Sequence, residues 1–263
     1  MDRKRRWPHR LTLMLGAAIG LYLALCIGLF FAQRLFIYVP QARSPDIPVT
    51  LLNLPVDGAN VVISTRPLPG PDALIYFGGN AEDVTRNLPE FSKAFPDHAL
   101  YLMNYRGFGG SGGSPSEAAL QRDAQALFDR VSSEHGRIVV IGRSLGSGVA
   151  VQLASERPAT QLVLITPYDS LREIAEHRMP WFPVRWMLHD RFESWQFAQR
   201  VRTPTLLLAA ADDTLIPLPS TQSLFSHFPP GVAKLQVIDH VGHNSISQSA
   251  DYWRALEVFL QGK

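Results

Sequence analysis

The sequence is short of cysteine and of excess charge. Its 263 residues include one cysteine, Cys26, so an intrachain disulfide is excluded. No group of Cys and His residues has the spacing of a zinc site. The 25 basic and 23 acidic side chains give a formal net charge of +2, so no global field indicates a nucleic-acid partner. No internal repeat stands out, and the length suits one large α/β domain or two small ones.

The N-terminal part contains a long run without any charged residue. Residues 1–10 are basic, and the uncharged run begins at Leu11 and ends at Ala32. Its length matches the hydrocarbon core of a bilayer, which takes about 20 helical residues. A secretory signal peptide has a shorter apolar core and a small-residue cleavage site, and neither feature fits well. We therefore expect an uncleaved transmembrane anchor over residues 11–33.

The basic segment of residues 1–10 sets the expected orientation of this anchor. Positive charge next to a span favours the cytoplasmic side, so we expect a cytoplasmic N-terminus. The folded part, residues 34–263, then lies on the opposite side of the membrane, which is the periplasm if the protein is bacterial. That part contains no cysteine, so its folding does not depend on the redox state there.

Apolar runs with turn residues between them predict the secondary structure of the remaining chain. After residue 73, strands and helices alternate, which indicates a mostly parallel sheet covered by helices on both faces. Before residue 73, strands are predicted at 35–39, 49–54 and 60–66, and the last two form an antiparallel hairpin through Asp57-Gly58. The later strands are predicted at 73–77, 99–104, 137–141, 162–166, 205–209 and 234–238, and the helices at 81–94, 116–133, 145–156, 220–228 and 251–260.

One stretch places a serine between a predicted strand and a predicted helix. Residues 142–146 read Gly-Arg-Ser-Leu-Gly, which is a G-x-S-x-G pattern. In this context the pattern predicts a sharp turn that exposes the Oγ of Ser144 at a helix N-terminus, where negative charge is favoured. Such a short pattern also arises by chance, and the alternative is a serine in an ordinary glycine turn. The strand and helix around it favour a nucleophile at Ser144.

A serine nucleophile needs a histidine base and a carboxylate that orients the base. In a sheet of this kind they follow the serine in the order Asp or Glu, then His. Asp212 and Asp213 follow the predicted strand 205–209. We select Asp213, which begins an Asp-x-x-aliphatic-Pro spacing, and expect Asp212 to cap a turn.

The base is expected in the loop after the last predicted strand, 234–238. That loop contains His240 and His243. We select His243, which lies between Gly242 and Asn244, and keep His240 as the second choice. A lone loop histidine is usually just solvated, but here chain order and position agree for all three residues.

Backbone N–H groups are expected to stabilise the negative charge of the reaction. One donor is the N–H of Leu145, directly after the serine, and the other lies in the loop Gly78-Gly79-Asn80 after strand 73–77. We assign the second donor to Asn80. The Asn80 side chain has an alternative role as a helix N-cap, with Asp83 completing a capping box.

Residues 107–112 match the glycine pattern of a dinucleotide-binding loop, G-x-G-x-x-G. The acidic residue that should end the next strand is missing, and Pro115 follows before the helix begins. We therefore expect no dinucleotide, and the triad chemistry requires neither a metal ion nor another cofactor.

Together these features resemble the α/β-hydrolase superfamily of serine hydrolases, and most of all its membrane-anchored α/β-hydrolase-domain branch, which includes protein depalmitoylases. The resemblance implies the α/β-hydrolase fold, with catalytic Ser144, Asp213 and His243 and oxyanion donors at Asn80 and Leu145. Two positions depart from the usual pattern, because Gly78 replaces a histidine and Ala210 replaces a glycine. The resemblance rests on residues 33–40, 77–81, 104–117, 142–146, 191–194, 213–217 and 242–244.

The implied activity is hydrolysis of an ester or thioester through an acyl-enzyme. Two alternatives remain: a serine peptidase or aminopeptidase of the same fold, and a non-catalytic membrane-anchored binding protein. Residues 167–200 form a long insertion rich in aromatic residues and proline, either a flap packed on the domain or a lid that lines an acyl pocket. An apolar lid beside an anchor suggests a small-molecule or acylated, lipid-like substrate. The sequence gives no oligomeric state.

Overall fold

A twisted eight-stranded sheet lies at the centre of the computed structural model, which describes residues 9–261. The strands are β1 (Thr50–Val56), β2 (Ala59–Arg66), β3 (Asp72–Phe77), β4 (Ala99–Met103), β5 (Arg137–Arg143), β6 (Gln161–Ile165), β7 (Thr205–Ala210) and β8 (Ala233–Ile238). The helices are α1 (His9–Ile37), α2 (Leu88–Ala94), α3 (Glu117–Ser132), α4 (Leu145–Glu156), α5 (Leu171–Arg178), α6 (Val184–Met187), α7 (Ser194–Ala198), α8 (Leu218–Ser226) and α9 (Ala250–Gln261).

The strand order is β1-β2-β4-β3-β5-β6-β7-β8, and from β4 to β8 every neighbouring pair is parallel. β1 and β2 form the expected antiparallel hairpin, in which Val56 pairs with Ala59 across the turn Asp57-Gly58. Gly58 has a φ of 70°, a conformation that strongly favours glycine. The predicted mostly parallel sheet with an N-terminal hairpin is therefore confirmed.

Helices cover both faces of the sheet, as predicted. On one face, α3, α4 and α8 bury apolar side chains such as Leu127, Val149 and Leu224. On the other face, α2 and α9 contribute Phe91 and Leu256 to a second buried cluster. The central strands are buried on both sides, which explains why their sequences are continuous apolar runs rather than alternating ones.

Two of the sequence predictions for local structure are wrong. Residues 35–37 continue helix α1 instead of starting a strand at 35–39, because no helix-breaking residue occurs between Gly28 and Pro40. The helix predicted at 81–94 is shorter. Asp83 caps a 3₁₀ turn at Val84–Asn87, accepting a hydrogen bond from Thr85 N, and α2 begins only at Leu88, next to Pro89.

Among the described residues, one helix is long and apolar enough to cross a membrane. Its span runs over Leu11–Ile37, and no residue of its most apolar stretch is buried in the protein. The uncharged part matches the predicted anchor, although the helix continues beyond residue 33. Most of the predicted basic segment, residues 1–8, lies outside the described residues.

A buried ion pair links helix α3 to the loop after β4, and the same arginine contacts the turn between β1 and β2. Arg106 Nε lies 2.7 Å from Asp123 Oδ2 on α3, and the two side chains are 8% and 0% exposed. Arg106 also donates to the carbonyl of Asp57 in the hairpin turn. Removing one partner would leave a buried charge without compensation.

We expect Asp123→Asn to lower the free energy of unfolding by about 3–5 kcal/mol. Asp129→Asn, on the same helix, is the matched control, since its pair with Arg157 is 30% and 55% exposed. The control should cost less than about 1 kcal/mol. Urea unfolding of the detergent-solubilised protein, followed by circular dichroism, measures both changes, and equal midpoints for the two variants would contradict the assignment.

Candidate active site

Ser144 occupies a strained turn between β5 and α4. Its φ is 48° and its ψ is −118°, a conformation that non-glycine residues rarely adopt. A Cβ at Gly142 would lie 2.4 Å from the carbonyl oxygen of Gly146, and one at Gly146 would lie 2.1 Å from that of Phe77. The two glycines of the motif are thus required for the chain to turn this tightly, and the turn projects the Ser144 side chain from the carboxyl end of the sheet.

The three residues selected from the sequence lie in one hydrogen-bonded chain. His243 Nε2 is 2.9 Å from Ser144 Oγ, and His243 Nδ1 is 2.8 Å from Asp213 Oδ2. Because a carboxylate only accepts hydrogen bonds, Nδ1 carries the proton and Nε2 is free to accept the serine hydroxyl. The side chains of His243 and Asp213 are 9% and 2% exposed, so this chain is largely shielded from water.

Asp213 is held by its own loop. Its other oxygen, Oδ1, accepts from the N–H groups of Leu215 and Ile216, each at 2.8 Å. The two residues that were set aside lie elsewhere: Asp212 and His240 are exposed, and His240 adopts a φ of 57° at the turn after β8. Ala210, which replaces the usual glycine, is accommodated as a buried residue at the end of β7.

Arg143, next to the serine, links two sides of the site. Its guanidinium donates to the carbonyl of His243 at 3.3 Å and lies 3.8 Å from the carboxylate of Glu82. Burial opposes its charge, but Tyr76 and Glu82 outweigh that effect and hold the pKa of Arg143 above its usual value. A permanent cation behind the serine thus positions both the histidine loop and the loop after β3.

The loop after β3, which bears Asn80, lies beside Ser144. A Cβ at Gly79 would lie 3.5 Å from Ser144 Cβ, so this loop passes directly beside the serine. Asn80 lines the same cavity as Ser144 and Leu145. The Asn80 side chain is not a helix cap, since its Oδ1 accepts from Val39 N and Ala81 N. It thus ties this loop to the segment that follows α1.

Gly78, which replaces the usual histidine, is fixed by its neighbours. A Cβ at this position would lie 2.4 Å from Val84 Cγ1, so no side chain fits. Its carbonyl accepts a hydrogen bond from the Tyr105 hydroxyl at 2.8 Å. Burial raises the pKa of Tyr105 well above its usual value, so the hydroxyl stays protonated and remains a donor.

Glu82 is a residue of the site that the sequence reasoning missed. Its Oε2 accepts from Gly79 N at 2.5 Å, and its Oε1 accepts from the Tyr76 hydroxyl and from Asn87 Nδ2. The sequence contained a signal for this role, because a carboxylate three residues after Gly79 can accept a hydrogen bond from the backbone N–H of that loop residue. The carboxylate holds the loop in place from behind.

Residues 107–112, which match the glycine pattern of a dinucleotide-binding loop, pack against the sheet. A Cβ at Gly109 would lie 1.9 Å from Asn104 Oδ1, and Ser111 bonds to both Asn104 O and Val62 N. These glycines serve a tight loop after β4. Within residues 9–261, no group of three or more His, Cys, Asp or Glu side chains is arranged to hold a metal ion.

A cavity of about 390 Å³ opens at Ser144. Small-ligand pockets typically measure ~300–1,000 Å³. Its floor is formed by Ser144, Leu145 and Asn80, and Arg178 is the one charged residue among the described lining residues. Most of the remaining wall comes from the insertion 167–200, and these residues are Tyr168, Leu171, Ile174, Ala175, Met179, Phe182, Val184, Met187 and Leu188. The C-terminal end of the insertion belongs to the core, where Ala198 is fully buried.

Comparison with known proteins gives the family. A family model described as serine aminopeptidase S33 matches residues 93–198. An uncharacterized protein of Mycobacterium tuberculosis is 34% identical over 232 residues, which cover 81% of this chain and 80% of that protein. The α/β-hydrolase domain-containing protein aho-3 of Caenorhabditis elegans is 32% identical over 203 residues, covering 74% and 59% of the two chains. The chain belongs to the α/β-hydrolase superfamily.

Solved structures show the same fold for this α/β-hydrolase. An esterase of Pyrococcus furiosus superposes with a TM-score of 0.66 at 20% identity, over 85% of this chain and 97% of that one. The expected α/β-hydrolase fold is thus confirmed. Together with the family model and the similarity to aho-3, membership of the α/β-hydrolase-domain branch is confirmed, and the chain is a hydrolase.

For this hydrolase we expect Glu82→Gln to lower kcat for a short nitrophenyl ester by about 10- to 100-fold, somewhat less than the loss of a whole oxyanion donor. The carboxylate of Glu82 accepts from three donors, and the amide of glutamine would direct its own NH₂ group at one of them. The loop that bears Asn80 would therefore shift. Glu90→Gln, an exposed change on α2, is the control. Steady-state kinetics give the result, and equal kcat values for the two variants would remove Glu82 from the site.

Proposed function

We propose that this hydrolase cleaves a carboxylic ester or thioester through Ser144, His243 and Asp213, with an acyl-enzyme intermediate. The observation that carries the proposal is the hydrogen-bonded chain from Asp213 to His243 to Ser144, with distances of 2.8 and 2.9 Å. This chain ends at the floor of an apolar cavity, where the acyl group of a substrate has room. The nucleophile, base and orienting carboxylate thereby have the roles that acyl transfer requires.

In the first half of the reaction, Ser144 Oγ attacks the carbonyl carbon while its proton passes to His243 Nε2. The negative oxygen of the tetrahedral intermediate accepts hydrogen bonds from the N–H groups of Leu145 and Asn80. Among the described residues, neither N–H is used by a protein acceptor. The bond to the alcohol or thiol then breaks, and the leaving group takes the proton from His243.

In the second half, His243 Nε2 removes a proton from water, which attacks the acyl-enzyme carbonyl. The bond to Ser144 Oγ breaks, the serine recovers its proton from His243, and a carboxylic acid is released. Asp213 keeps the imidazole in the correct tautomer and stabilises its positive charge in both halves.

A serine aminopeptidase is the second candidate, because the matching family model carries that description. Recognition of a free α-amino group requires an acidic side chain near the nucleophile. The described cavity-lining residues include no carboxylate, and their one charged member is the cation Arg178. This lining supports an uncharged acyl group as substrate, so aminoacyl nitroanilides should be cleaved far more slowly than nitrophenyl butyrate.

We expect Ser144→Ala and His243→Ala each to lower kcat for nitrophenyl butyrate by about 10⁶, and Asp213→Ala by about 10⁴. The smaller loss for Asp213→Ala follows because it orients the base without taking the proton. Asp212→Ala and His240→Ala are matched controls on the same loops and should retain activity. A binding protein would show no turnover by the folded wild type, and that result would overturn the proposal.

We further propose that α1 stays attached as an anchor, with the N-terminus cytoplasmic and the hydrolase domain across the membrane. Tyr22 on α1 donates a hydrogen bond to the carbonyl of Trp181 in the insertion at 2.9 Å, a contact that would be lost if the apolar helix were cleaved off. The basic residues before Leu11 support the orientation. Intact mass of the purified protein and protease accessibility in sealed vesicles test the two parts, and a mature protein that lacks α1 would contradict the first.

A further inference from the structure

The anchor helix supplies one wall of the active-site cavity. Leu29, Gln33, Phe36 and Ile37 all line the cavity that opens at Ser144. Their spacing is i, i+4, i+7 and i+8, which places them on one face of a helix. A helix that served only as a tether would not be expected to line the cavity at Ser144.

The middle of the insertion lies along this helix. This part, residues 179–187, is the lid tip. Tyr22 donates a hydrogen bond to the carbonyl of Trp181 at 2.9 Å, and its ring stacks on Phe182 with centroids 6.0 Å apart. Nearer the domain, Gln33 Nε2 donates to Met187 O at 3.1 Å. The lid tip is thus held against α1 at both ends.

These contacts place the lid tip at the depth of the membrane. From Tyr22 to Arg34 the helix rises about 18 Å at 1.5 Å per residue. The hydrocarbon core is ~30 Å thick, and Arg34 is the first charged residue after the uncharged run. With Arg34 at the surface, Met187 beside Gln33 lies near that surface, and Trp181 beside Tyr22 lies about halfway across the hydrocarbon core.

The outer surface of the lid tip fits this position. Trp181 and Trp186 are 83% and 81% exposed, which is unusual for large apolar residues in water. Trp186, the residue before Met187, lies near the membrane interface, where tryptophan is enriched. Arg185 is the one charged residue of the tip, and its long side chain can reach the phosphate layer. The carbonyl of Trp181, which lipid cannot satisfy, accepts the Tyr22 hydroxyl.

We propose that α1 is part of the site that selects the acyl group, and that the acyl chain of the ester or thioester enters the cavity from the leaflet, between α1 and the lid tip. The proposal rests on the proposed function, because it assigns an occupant to the cavity at Ser144. The chain lies against Leu29, Phe36 and the lid tip, and its carbonyl reaches Ser144. α1 is then part of the specificity site as well as the anchor.

The test uses the full chain in lipid nanodiscs and compares nitrophenyl palmitate with nitrophenyl butyrate. Leu29→Trp adds bulk inside the cavity, and we expect it to lower the palmitate-to-butyrate ratio of kcat/KM at least tenfold. Leu35→Trp is the matched control on the same helix, because Leu35 is 77% exposed and does not line the cavity. Its ratio should stay within twofold of the wild type.

Equal ratios for the two variants would overturn the role of α1 while leaving the proposed hydrolase intact. Loss of butyrate turnover in the wild type would instead overturn the proposed function itself, and the inference with it. A Ser144→Ala sample in the same nanodiscs gives the background rate, so the two failures are distinguishable.

A second measurement tests the entry from the leaflet. Nanodiscs made with brominated lipids quench tryptophans that contact acyl chains. We expect quenching of the wild type to fall at least twofold in the double variant Trp181→Phe/Trp186→Phe, and to persist in the control Trp253→Phe on α9. Equal quenching of wild type and double variant would place the lid tip in water and exclude the lipid route.

Discussion

The close contact between Gly146 and the end of β3 sets the geometry of the whole site. At this point the first turn of α4 touches the carbonyls of Phe77 and Gly78, with no room for a side chain. Ser144 is forced into a conformation that typically costs about 1–3 kcal/mol, and the surrounding sheet maintains it. The same contact places the loop bearing Asn80 beside the turn that carries Ser144 and Leu145.

The parallel sheet then assembles the remaining groups. Ser144, Asp213 and His243 follow β5, β7 and β8, and all three strands end at one edge. These strands are held by apolar packing on both faces, so loops separated widely in sequence meet within hydrogen-bonding distance. Arg143 and Glu82 add polar links across this edge, between the histidine loop and the loop after β3. A stable core is thus the source of the precision at the site.

Much of this arrangement could be predicted from the sequence, since it depends on local patterns. Apolar runs mark the buried strands, and the glycines around Ser144 mark the turn. The Asp-x-x-aliphatic-Pro spacing favours Asp213 over Asp212, and the flanking Gly242 and Asn244 favour His243 over His240. The wall formed by Leu29 and Phe36 could not be predicted, because an apolar helix gives no sign of which face packs against the domain. The strand predicted at 35–39 is wrong for a related reason. A short apolar run is compatible with a strand and with the end of an apolar helix, and periodicity alone does not separate the two.

The central claim is that Ser144 is an activated nucleophile, and labelling with a fluorophosphonate probe tests it most directly. The probe reacts only with a serine whose proton can be transferred to a base. We predict that the wild-type protein is labelled at Ser144 and that labelling disappears in Ser144→Ala and in His243→Ala. A folded wild-type protein that stays unlabelled, or a Ser144→Ala variant that is labelled as strongly as the wild type, would contradict the account.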